Sequence, residues 1–126
     1  MPADHLGILL ISGGHERAHY AFLLAAAAAA MGRKVTVFAT NTGCRALAAD
    51  WSKLEDAARD DRVREKGVAG LDELREAAVE LDVVLLACEA GLRMVAMAPA
   101  ELLPGVDVAG AARFLEACAD GQILTL

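Results

Sequence analysis

The sequence predicts a single α/β domain over residues 1–126, three layers deep, with helices on both faces of a mostly parallel sheet of about five strands. Three observations predict it. Short apolar runs that end in turn residues alternate with longer stretches of helical spacing, the order that parallel strands joined by crossover helices impose. The run Val83-Val84-Leu85-Leu86-Ala87-Cys88 is apolar throughout, as a strand buried on both faces reads. Hydrophobic residues make up 56% of the chain and aromatics only 4%, with alanine and leucine dominant, so the helices have smooth surfaces that pack closely on a sheet. No repeat or linker divides the chain.

Leu6-Gly7-Ile8-Leu9-Leu10-Ile11 is the first strand, and Ser12-Gly13-Gly14 is the turn that hands it to a helix over residues 15–31, closed by Gly32. From Ala21 onward that helix is apolar all round, which requires cover on two sides, by the sheet and by a neighbouring helix or subunit. Val35-Thr36-Val37-Phe38-Ala39 forms the second strand. Asn41-Thr42-Gly43 supplies capping residues for a helix running from Cys44 to Asp50. Residues 51–70 crowd together Lys53, Glu55, Asp56, Arg59, Asp60, Asp61, Arg62, Arg64, Glu65 and Lys66, the pattern of a solvated helix or mobile segment. Leu71, Leu74, Ala78 and Leu81 have the spacing of one buried helical face, with Asp72 and Glu73 well placed in its first turn. The strand over residues 83–88 follows, then a helix over 89–97. Pro99 and Pro104 break the chain, and Gly105-Val106-Asp107-Val108 has room for only a short strand. Ala111, Phe114, Leu115 and Cys118 mark one face of a last helix, Gly121 stops it, and residues 122–126 form a closing strand.

A net charge of −6 without a basic cluster excludes nucleic acid and anionic membrane surfaces as partners. The most apolar stretch, residues 21–31, is too short to cross a bilayer, and the N-terminus lacks a basic segment before an apolar core; no membrane span is expected, and a cytoplasmic location is. Mean hydropathy of +0.40 in so short a chain implies more apolar surface than one small domain hides, which predicts a homo-oligomer. The three cysteines lack the spacing of a disulfide framework and read as free thiols.

Cys88 is the candidate reactive thiol. It falls where a buried strand ends and a helix begins, and ligands of open α/β sheets bind in the crevice beyond the strands' carboxyl ends. Unpaired N–H groups at such a junction favour a thiolate. The adjacent Glu89 carboxylate opposes that, and Arg93, one turn later, is placed to compensate as a thiolate stabiliser. Cys44 also follows a strand, beside Arg45, and can relay sulfur from Cys88 if the two strands are neighbours. Cys118 lies on an apolar helix face and reads as core. The turn Ser12-Gly13-Gly14-His15 matches neither dinucleotide nor Walker loops, but its N–H groups suit a small anion. His15-Glu16-Arg17-Ala18-His19 has the form H-E-x-x-H of zinc proteases. It straddles a turn, and His5, the remaining histidine, precedes the first strand at the opposite edge, so no metal or cofactor is assigned. A second reading stays open, a non-catalytic oligomeric protein that binds a small anion or a metal through His15, His19, Cys44 and Cys88.

Gly32-Arg33-Lys34-Val35-Thr36-Val37-Phe38, Leu86-Ala87-Cys88-Glu89-Ala90-Gly91-Leu92 and Pro104-Gly105-Val106-Asp107-Val108-Ala109-Gly110, with the opening strand and its alanine-rich helix, resemble the DsrE/DsrF-like family of small sulfur-relay proteins. The resemblance implies a three-layer α/β/α fold of the DsrE/flavodoxin-like kind and assembly into trimers or hexamers. It also implies a cysteine after the central strand that accepts sulfane sulfur as a persulfide and passes it on; by position this is Cys88. On that basis the chain is expected to be an intracellular sulfur carrier or sulfurtransferase. Its partners would be sulfur donor and acceptor proteins or small sulfane-sulfur compounds. The charged residues 51–70 are expected to lie outside the resemblance.

Overall fold

The computed structural model describes residues 4–126. Its strands are β1 (His5–Leu10), β2 (Lys34–Ala39), β3 (Val84–Cys88), β4 (Asp107–Ala109) and β5 (Gln122–Thr125); its helices are α1 (His15–Ala30), α2 (Arg59–Glu65), α3 (Leu71–Glu80), α4 (Glu89–Met94) and α5 (Ala111–Ala117). The five strands form one sheet in the order β4-β3-β2-β1-β5, and every pairing is parallel. The expected α/β architecture is therefore present, with the sheet wholly rather than mostly parallel.

Alternation along the strands divides the interior into two cores. Leu6, Ile8 and Leu10 of β1, Val35, Val37 and Ala39 of β2, and Leu85 and Ala87 of β3 share the main core with Ala18, Ala21, Phe22 and Ala25 of α1. The register sets Ile8 beside Val37 and Val37 beside Leu85, so these side chains form continuous rows. Small residues let α1 lie close on these rows, and the helix also packs against α3. On the opposite sheet face Phe38, Leu86 and Ala109 meet Phe114 and Cys118 of the α5 region, with the Phe38 and Phe114 rings stacked at 5.0 Å between centroids. Gly7 is required there, because a Cβ would sit 3.0 Å from the Phe114 ring. This face leaves Val84, Leu115 and Ile123 exposed.

Three elements depart from the sequence expectation. In place of an α-helix over residues 44–50, a 3-10 helix runs over Asn41–Leu47. Ala48 then turns extended to bridge Leu102, which ends the helical winding. The helix after β3 stops at Met94, not residue 97, because Ala96 takes a left-handed conformation with φ 53°. The charged residues 51–70 include α2, whose Asp60 is buried and accepts bonds from His15 Nε2 and the Leu71 N–H, each at 2.8 Å.

On α3 the expected buried face was Leu71, Leu74, Ala78 and Leu81. The structure buries Leu71, Arg75 and Ala78 and leaves Leu81 exposed. The Arg75 guanidinium donates to the carbonyls of Ala46 at 3.1 Å, Ala48, and Ala49 at 3.3 Å, closing the end of the 3-10 helix. Among the described residues, no helix is long and apolar enough to cross a membrane.

Candidate functional site

Because β1, β2 and β3 are adjacent and parallel, the segments that follow them meet at one edge of the sheet. Cys88 is the last residue of β3 and caps α4. Its backbone is extended, and its Sγ accepts the Gly91 N–H at 3.4 Å. The side chain is half-buried and packs against the smaller core beneath α5. Arg93 donates to Glu89 Oε1 at 2.8 Å on the exposed face of α4. Its guanidinium is thus engaged with the carboxylate next to the cysteine.

Cys44 lies in the 3-10 helix that follows β2, on the strand beside β3, but its side chain belongs to the main core. It is fully buried, and its Sγ donates to the Ala39 carbonyl at 3.5 Å. Burial first, and then the neighbouring Cys88 charge, raise the Cys44 thiol to about 11 against the opposing main-chain N–H groups of Cys88 and Cys44. Cys118 is likewise buried and its thiol raised by burial. Iodoacetamide at pH 8 is therefore expected to label Cys88 in the folded protein and to reach Cys44 and Cys118 only in urea, as peptide mass mapping reads directly. Since unfolded Cys44 ionises near 9 and folded Cys44 near 11, its contribution to stability is intact below about pH 9 and is lost as the pH rises toward 11.

The Ser12-Gly13-Gly14-His15 turn is occupied by the chain itself. Gly14 donates to Ser12 Oγ at 3.1 Å, His15 N–H donates to the Glu55 carbonyl at 2.8 Å, and Glu55 N–H returns to the Gly13 carbonyl at 2.8 Å. The His15 ring is fully buried; Arg59 donates to its Nδ1 at 3.2 Å, so the proton is on Nε2, which donates to Asp60. His19 Nε2 donates to the Ala69 carbonyl at 2.8 Å. The two imidazoles stack with centroids 5.5 Å apart, on one helical face as H-E-x-x-H spacing requires, but their bonding holds α1 to the charged segment. Among the described residues, no cluster of three or more His, Cys, Asp or Glu side chains is placed to hold a metal ion. A cavity of about 330 Å³ opens between the 3-10 helix and the end of α4, lined by Arg45, Lys53, Val95, Met97 and Glu101 among others; Cys88 is not in its lining.

The family model described as DsrE/DsrF/DrsH-like matches residues 49–126, well over half of the chain. The chain belongs to the DsrE/DsrF/DrsH-like family. Contrary to expectation, the match runs through the charged residues 51–70. Among curated proteins, the sulfur carrier protein DsrE2 of Allochromatium vinosum is 28% identical over 155 residues, covering 98% of each chain. Among solved structures, the ychN protein from E. coli superposes with a TM-score of 0.72 over 100% of both chains at 13% identity. The protein of unknown function MTH1491 from Methanobacterium thermoautotrophicum superposes with a TM-score of 0.59 at 17% identity, over 97% of this chain and 98% of that one. At those identities the two structures establish the DsrE-like fold alone.

Sequence reasoning placed Cys88 at a strand end ahead of a helix, and the structure has it there. It gave no role to Gly91, a glycine within the first turn of a helix, where propensity disfavours it unless something packs close.

Proposed function

We propose that the protein is a sulfur carrier that holds sulfane sulfur as a persulfide on Cys88 and yields it to an acceptor thiol. One observation carries this reading: of the three thiols, Cys88 alone is partly open, with the Gly91 N–H on its sulfur, whereas Cys44 and Cys118 are buried. Membership of the DsrE/DsrF/DrsH-like family and the likeness to a protein named as a sulfur carrier support it.

In the forward step the Cys88 thiolate attacks the outer sulfur of a donor persulfide. A bond forms from Cys88 Sγ to that sulfur, the donor's S–S bond breaks, and the donor leaves as a thiolate that takes a proton from solvent. In the second step an acceptor thiolate attacks the same sulfur, the new S–S bond breaks, and Cys88 returns as thiolate. No net oxidation occurs in either exchange. The Gly91 N–H stabilises the Cys88 thiolate before attack and again when it is released, and Arg93 acts by neutralising Glu89. Transfer on the sheet edge, outside the neighbouring cavity, suits partners that present a thiol from their own surface. The burial of Cys44 weighs against the relay expected of it. A cytoplasmic site of action and a homo-oligomeric assembly remain part of this proposal.

The test is intact-protein mass after brief exposure to polysulfide or thiosulfate. The parent and Cys44→Ser are expected to gain about one sulfur, and Cys88→Ser none. A Cys88→Ser protein that loads sulfur as the parent does would sink the assignment.

A further inference from the structure

We propose that Gly91 is a positioning residue of the Cys88 site: lacking a side chain, it lets the first turn of α4 rest on the main chain of Thr40 and Asn41 and so holds its own N–H on the Cys88 sulfur. This rests on the reading of Cys88 as the sulfur-bearing thiol. A Cβ placed on Gly91 would lie 2.6 Å from Thr40 Oγ1, 2.9 Å from Thr40 Cα and in overlap with the main-chain N of Asn41. Main-chain atoms cannot rotate aside as a side chain does. Nor is the segment free to retreat: Thr40 N–H donates to the Leu10 carbonyl at 3.0 Å, and the Thr40 carbonyl accepts the Gly43 N–H at 3.0 Å. Asn41 is held at φ 51°, a left-handed conformation that asparagine tolerates better than most residues.

Any side chain at 91 therefore drives α4, and not the turn, outward. The neighbouring Glu89 and Ala90 are exposed and carry no such constraint. Gly91 N is already 3.4 Å from Cys88 Sγ, so an outward displacement takes this donor beyond bonding range. A hydrogen bond to an anion is stronger than one to its neutral form, so its loss raises the pH at which the thiol ionises.

The experiment is the pH dependence of Cys88 carboxamidomethylation, read on the Cys88 peptide. In Gly91→Ala the midpoint is expected above that of the parent, with alkylation several-fold slower below the midpoint. Ala90→Gly weakens α4 through helix propensity but leaves the contact with Asn41 in place, and is expected to leave the midpoint where it is. Adding Thr40→Ala to Gly91→Ala removes only the hydroxyl and is expected to recover little. An unmoved midpoint in folded Gly91→Ala, an equal shift in Ala90→Gly, or full recovery with Thr40→Ala would each overturn the proposal. If Gly91→Ala does not fold, the parent suffices: the Gly91 amide proton resonance is expected to follow the Cys88 titration and to lose that dependence in Cys88→Ser. A Gly91 amide that ignores the titration overturns it equally. None of these readouts involves sulfane sulfur, so a failure of the carrier assignment leaves them separately interpretable.

Discussion

Asp60→Ala is expected to destabilise the protein by about 3–5 kcal/mol, because it leaves two buried donors without an acceptor at once. His15 Nε2–H and the Leu71 N–H both end on Asp60 Oδ1, and Arg64 Nε approaches Oδ2 at 3.4 Å. Leu71 begins α3, so Asp60 caps that helix from α2 while tying both to the start of α1. Asp60→Asn keeps one carbonyl acceptor and is expected to cost roughly half as much. The pH dependence follows from the same bonds. Burial pushes the Asp60 carboxyl up, but the Leu71 amide, His15 and Arg64 together outweigh it and hold the group below the usual carboxylate range. The unfolded chain then binds the proton more readily than the folded one. The contribution of Asp60 is fully present above about pH 4 and is lost as the pH falls through the folded value. Urea unfolding, followed by Trp51 fluorescence across a pH series, measures both effects; Trp51 lies 5.9 Å from the His15 ring and reports on this junction. A parent-like midpoint for Asp60→Ala would refute the account, as would an acid arm in Asp60→Asn no flatter than that of the parent.

Asp60 also shows what the sequence could and could not reveal. The strands were legible because their information is local. Val83-Val84-Leu85-Leu86-Ala87-Cys88 reads as a doubly buried strand from its own letters, and β3 takes up Val84–Cys88. The alanine-rich stretch after Gly14 likewise announced α1, which runs His15–Ala30. The position of Cys88 at a strand end came with them, since a parallel sheet puts every such junction on one edge. Strand order was not legible, because residues 39 and 87 become partners only through a crossover of some forty residues. Within the charged run, Asp60 differs from Asp56 and Asp61 only by its partners, which lie at His15 and Leu71. Periodicity assigns a charged residue to solvent by default, and it is tertiary bonding that brings Asp60 inside. The geometry of H-E-x-x-H is present in the stacked rings, but His15 Nε2 is bonded to Asp60 and His19 Nε2 to the Ala69 carbonyl, partners far along the chain that spacing alone does not reveal.

Arg75 is the second case of a charge placed inside by distant partners, and Arg75→Met is expected to cost about 3–5 kcal/mol. Its guanidinium serves the carbonyls of Ala46, Ala48 and Ala49 from a side chain that is only 6% exposed. Methionine fills much of the volume but leaves those carbonyls without a donor. Arg75→Lys keeps the charge, yet a single ammonium cannot reproduce a planar fork across several acceptors, and it is expected to recover less than half of the loss. Burial lowers the Arg75 pKa, Asp72 and Glu76 oppose that, and a guanidinium stays charged at any pH the fold survives. The consequence reaches the site edge, because the carbonyls that Arg75 gathers are the exit of the 3-10 helix bearing Cys44. Without that clasp the segment opens locally at lower free energy than the sheet beneath it. Cys44 should then become alkylated in native buffer at a rate at least tenfold above the parent. Cys88, held by β3 and α4, should keep its parental rate. A uniform acceleration at Cys44, Cys88 and Cys118 would show global unfolding and not release of this helix. A silent Cys44 in a destabilised Arg75→Met would mean that burial against β2, and not the guanidinium, keeps that thiol closed.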